Sequence, residues 1–248
     1  MAQSPETGHA KNVANFENLI SICTGYGTSY NPSKAAIKLS ALSTLFTGAK
    51  NALSAINTAF PPYTNAIDAR EIVFDPISKL ITRVINALDS SDVPKQTVAA
   101  AKTIARKIQG KRAGKKLPPA VANPATPAIE SPKSISASQM GFDNRIENFD
   151  KLIQLLSSQT GYTPNEADLQ VSALSALLAD LKAKNTTALN AFTPLSNARI
   201  ARNNLFYATG TGLVDISVEV KKYVKSVFGG TSPQYKQVGG LAFTKVKS

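Results

Sequence analysis

The sequence predicts an all-α fold: two homologous helical-bundle modules from an internal duplication, joined by a Pro-rich linker. Three observations lead there. First, Tyr30-Asn31-Pro32 returns as Tyr162-Thr163-Pro164, Leu39-Ser40-Ala41-Leu42-Ser43 as Val171-Ser172-Ala173-Leu174-Ser175, and Ala69-Arg70 as Ala201-Arg202, all 132 residues on. Only the opening helix, Asn15-Phe16 against Asn148-Phe149, is displaced by one further position. A constant offset over that span reads as a duplication. Second, the chain is 43% hydrophobic with no Trp and 7% aromatic residues, so its cores rest on Leu, Ile, Val and Ala, a mixture that favours helix packing. Third, Pro118, Pro119, Pro124, Pro127 and Pro132 cluster between the two copies, which excludes helix there and favours an extended spacer. Fully stretched, that spacer reaches roughly 60 Å.

The boundaries follow: an arm over 1–12, module 1 over 13–112, a basic and Pro-rich linker over 113–137, module 2 over 138–228 and a Gly-rich tail over 229–248. Phe16, Leu19, Ile20 and Cys23 repeat at helical spacing and give a first helix that stops near Gly25. The next helix is expected to start at Asn31-Pro32 and at Thr163-Pro164, where Thr163 and Glu166 have the spacing of a capping box. Its seam is Leu39, Leu42, Phe46, Ala49, Leu53, Ile56 and Phe60, and in the second copy Val171, Leu174, Leu178, Leu181, Asn185, Ala188 and Phe192. Pro61-Pro62 and Pro194 are expected to end it, and a third helix to restart at Thr64 and Ser196. Thr209-Gly210-Thr211-Gly212 interrupts that helix in the second copy, and Thr97–Gln109 adds an Ala-rich helix to the first. The tail is read as extended, docked by Tyr235 and Phe243.

Composition excludes much chemistry. The single His9 lies in the arm, which removes His-dependent triads and two-His metal sites from the modules. Cys23 shares a face with Phe16 and Leu19 and reads as a small buried apolar residue. Asp68, Glu71 and Asp75 share a helical face, but the second copy has Ile200, Asn203 and Tyr207 there, so a metal is not expected. Gly25-Tyr26-Gly27 lacks the strand and Gly-Lys-Ser/Thr of a phosphate loop. No catalytic residue, cofactor or small-molecule substrate is expected, and the protein is read as non-enzymatic. Without a signal-like start or a long apolar run, it is expected in the cytoplasm with no stable membrane insertion.

Charge offers the functional lead. The net charge is +12, yet residues 15–109 carry ten bases against six acids, and residues 135–248 twelve against eight. The remaining excess lies between Gly110 and Ser134; no acid occurs from Val93 to Ile129, and Lys102, Arg106, Lys107, Lys111, Arg112, Lys115 and Lys116 fall there in one short run. Such a strip attracts a polyanion, RNA or DNA, through counterion release. Copies of the chain itself are the alternative partner, in a filament, sheath or shell. Both copies also share Asn65/Asn197 and Arg70/Arg202, expected to cap helix ends and to satisfy a carbonyl or an acid in the bundle, or alternatively to offer an anionic group one donor pair per module.

Asn197-Ala198-Arg199-Ile200-Ala201-Arg202-Asn203, Arg106-Lys107-Ile108-Gln109-Gly110-Lys111-Arg112 and Ser232-Pro233-Gln234-Tyr235-Lys236-Gln237 resemble stretches in uncharacterised helical proteins of Bacteroidetes. The resemblance covers most of the chain. It implies a bacterial, non-enzymatic type and transfers no functional residue.

Overall fold

A computed structural model describes residues 8–111 and 140–245. The fold is all-α: these residues form helices and short 3-10 turns, with no strand among them. The expected linker, 113–137, lies outside the described residues.

The first helix, α1, spans His9–Gly25 and buries Val13, Phe16, Leu19 and Cys23 on one side. It takes in residues that the sequence assigns to the arm. The reason is a tertiary partner: Asn12 is 1% exposed, its Nδ2 donates to the Thr244 carbonyl at 2.8 Å, and its Oδ1 accepts from the Thr244 amide at 3.1 Å.

The second helix, α2, spans Leu39–Phe74, and its equivalent α6 spans Val171–Tyr207. Neither begins where the sequence predicts. A 3-10 turn intervenes in each, Ala35–Ile37 and Ala167–Leu169, followed by extended Lys38 and Gln170. Buried tyrosines hold these turns: the Tyr30 hydroxyl donates to the Ile37 carbonyl at 2.6 Å, and that of Tyr162 to the Leu169 carbonyl at 2.8 Å. Ile37 and Leu169 are thereby buried, and the local signal of the capping box is overridden.

The prolines do not end these helices either. Pro61, Pro62 and Pro194 sit inside α2 and α6, and Thr64 makes a bond back to the Phe60 carbonyl at 3.2 Å instead of a cap. Each proline removes one N–H and frees the carbonyl four residues earlier. Those residues, Asn57, Thr58 and Asn190, are exposed, so the loss falls on the solvent side of each helix. The breaks come later. α3 spans Ile77–Asp89 after Asp75-Pro76, and α7 spans Leu213–Phe228 after the expected Thr-Gly interruption, where Gly210 has φ 75°.

The remaining helices are α4 (Lys95–Gln109), α5 (Phe142–Ser157) and α8 (Pro233–Gly239). The last corrects the extended tail. Ser232 caps it by accepting from the Tyr235 amide at 3.1 Å, and Pro233 takes the first helical position, where no donor is lost. Tyr235 and Phe243 pack on the core as expected.

Two compact units result, and they do not follow the sequence modules 13–112 and 138–228. Unit 1 takes Met1–Thr64 and Asn190–Ser248, and unit 2 takes Asn65–Leu189. Each core therefore mixes the copies. In unit 1, Phe16, Leu19, Leu42 and Ala49 pack with Phe206, Leu213, Ile216 and Val220. In unit 2, Phe74, Ile81, Leu88 and Ile108 pack with Phe149, Leu152, Leu174 and Leu181. The cause is the continuity of α2 and α6. Without a reversal at the prolines, the chain does not return its third helix to its first.

Candidate polyanion surface and polar clamps

Helix α4 presents the described part of the basic strip. Its apolar side, Val98, Ala101, Ala105 and Ile108, is buried, so Lys102 and Lys107 are left outside. Gly110 ends the helix in the left-handed region (φ 66°), and the Lys111 amide donates back to the Arg106 carbonyl at 2.9 Å. This is a Schellman ending, and it fixes where Lys111 leaves the helix. Arg112, Lys115 and Lys116 lie outside the described residues.

Lys102, Arg106 and Lys111 line a groove of about 250 Å³ between α3 and α4, with Thr82 and Asn86 opposite and Ala105 on its floor. Gln109 ties the walls together, its Nε2 donating to the Ser78 carbonyl at 2.8 Å and to Thr82 Oγ1 at 2.9 Å. The strip has acids beside it that the linear sequence conceals. Lys102 pairs with Asp89 at 2.9 Å. Lys107 lies close enough to Glu147 to help hold that carboxyl below its usual range, behind the larger effect of the hydrogen bond from Lys151. Arg106 donates to Thr103 Oγ1 at 2.9 Å and has no carboxylate partner among the described residues.

The shared polar residues divide. Asn65 and Asn197 lie mid-helix and exposed, so neither caps a helix end. Arg70 does form a clamp. Its Nη1 donates to Asn185 Oδ1 at 3.1 Å, its guanidinium stacks 3.9 Å from the Phe142 ring centre, and Asn185 Nδ2 donates to Asp143 Oδ1 at 2.7 Å. Beside it, Arg145 donates to the Phe74 carbonyl at 3.1 Å, and burial holds its guanidinium below the usual range. Phe74 and Phe142 meet edge to face at 4.8 Å. Sequence reasoning missed Phe142, Asp143 and Arg145. Asn185, a lone amide in an apolar seam, was the available signal.

Arg202 behaves differently. It donates through Nε and Nη2 to its neighbour Asn203, at 3.0 and 2.7 Å, and burial lowers its pKa. Cys23 is fully buried, which pushes its thiol up to about 12. His9 lies against the rings of Phe206 and Tyr207.

No protein-family model matches the chain, and no curated protein or solved structure is significantly similar to it. No helix among the described residues is long and apolar enough to cross a membrane.

Proposed function

We propose that this is a non-enzymatic helical binding protein that docks on RNA or DNA through the basic strip of α4 and the residues after it. One observation carries the reading: α4 buries Val98, Ala101, Ala105 and Ile108 and leaves Lys102 and Lys107 exposed, with exposed Lys111 just past its end, at the start of the run that includes Arg112, Lys115 and Lys116. The Lys102–Asp89 pair is a surface contact of small worth that a phosphate can replace. The non-enzymatic reading is supported by a thiol that burial holds protonated. The same reading keeps the cytoplasmic setting, the duplication and the Pro-rich tether. The duplication is supported by the recurrence of the Tyr30–Ile37 bond as Tyr162–Leu169 at the shared offset.

Self-assembly is the second reading, and exposed apolar residues on the long helices favour it: Phe60 is 49% exposed, Ile72 72% and Phe192 46%. Fluorescence anisotropy of labelled RNA and DNA across a salt series, beside light scattering, separates the two. Docking gives a monodisperse protein whose affinity falls with salt, with a slope of about −0.9 per phosphate on duplex DNA. Exchanging Lys111, Arg112, Lys115 and Lys116 for Gln collapses that binding. Large particles that bind nothing at low salt favour assembly and overturn docking.

A further inference from the structure

Unit 1 contains an open groove of about 570 Å³ at the start of α1, lined by His9, Ala10, Leu53, Ile56, Asn57 and Arg202 among others. It falls within the roughly 300–1,000 Å³ typical of small-molecule sites. Its frame matches the Arg70 clamp of unit 2. Arg202 and Phe206 stand 132 residues after Arg70 and Phe74, and His9 stands 133 before Phe142. The geometry agrees: His9 meets Phe206 edge to face at 5.7 Å, as Phe142 meets Phe74 at 4.8 Å.

What differs is the filling. In unit 2 the arginine faces Asn185, which leans on the carboxylate of Asp143 in the first turn of α5. The matching positions in unit 1 are Leu53 and Ala10, both on the groove wall, and α1 has no acidic residue in its first turn. Among the described residues the Asp143–Asn185 pair has no counterpart at these two positions, and Arg202 turns Nε and Nη2 to Asn203 instead. His9 lines the site, and its Nε2 is buried with no hydrogen-bond partner among the described residues. The first amides of α1 and its dipole add positive potential. Leu53 and Ile56 supply an apolar wall.

We propose that this groove binds a small carboxylic acid with a short apolar body. The carboxylate stands where Asp143 and Asn185 stand in unit 2, accepting from Arg202 with the His9 ring beside it, and the alkyl part lies on Leu53 and Ile56. The site is independent of the basic strip, which belongs to unit 2.

Hexanoate is the probe, titrated into the full chain by calorimetry and ligand-observed NMR, with hexan-1-ol and hexylamine as controls. Saturable binding of hexanoate at about 1 mM or tighter is expected, given what a ligand of this size achieves, with neither control saturating. Arg202→Gln weakens it at least tenfold. The double variant Ala10→Asp with Leu53→Asn, which writes the Asp143–Asn185 pair of unit 2 into unit 1, abolishes binding while its thermal midpoint stays at or above that of the parent. A non-saturating response to hexanoate, equal binding of hexan-1-ol, or unchanged binding in the double variant overturns the proposal.

Discussion

The hydroxyl of Tyr162 donates to the carbonyl of Leu169 at 2.8 Å, in a buried setting that closes the turn before α6. Removing it strands a buried carbonyl. Tyr162→Phe is expected to cost about 1–2 kcal/mol, and Tyr30→Phe a similar amount through Ile37. Denaturant midpoints at constant slope check both.

Gly161 approaches another segment closely. A Cβ there would sit on the carbonyl oxygen of Asp92, which is backbone and has little room to yield. Gly161→Ala is expected to destabilise unit 2 by about 1–3 kcal/mol. Gly25, which has open space around it, is the control. Thermal unfolding of the two variants checks the difference.

Prolines inside continuous helices leave stability to be gained. Pro194→Ala restores one N–H and relieves a clash within α6, and is expected to stabilise by about 1–3 kcal/mol. If the helix ended there, the same change would be neutral or harmful. Chemical denaturation with far-ultraviolet circular dichroism gives the sign.

Arg70 and Asn185 act together. Either Arg70→Met or Asn185→Leu alone breaks a partly buried hydrogen bond at 3.1 Å, and the double variant costs less than the sum of the singles. A coupling of about 0.5–2 kcal/mol is expected. A double-mutant cycle measures it.

Alkali attacks a defined set of groups. Burial raises Cys23 from 9.0 to about 12 and Tyr162 from 10.0 to about 12. Since the folded-state values are raised, the folded state binds more protons than the unfolded in this window. The stability is fully present below pH 9.0 and is lost as pH rises towards about 12. Unfolding midpoints against pH should fall over that window, and Cys23→Ala should flatten the earlier part. A thiol reagent near neutral pH should modify the unfolded chain and spare the folded one.

Several features were legible in the chain itself. The helical class, the burial of Cys23, α4 with its outward bases and the glycine-rich break before α7 all follow from periodicity and from Gly and Pro placement, which act over a few residues. The tertiary structure decided the rest. Whether a proline ends a helix depends on whether the freed carbonyl is left in the core or towards solvent, and Asn57, Thr58 and Asn190 are exposed. That continuity reassigned half of each copy to the other core. The helix at His9 depends on Asn12 finding Thr244 across 232 residues. The acid-free run gained Asp89 and Glu147 as neighbours only through packing. Sequence alone determined the helical class and the faces that α1 and α4 bury, because periodicity is local physics. Which helices share a core, and that Arg70 meets Asn185, was decided by contacts between distant residues.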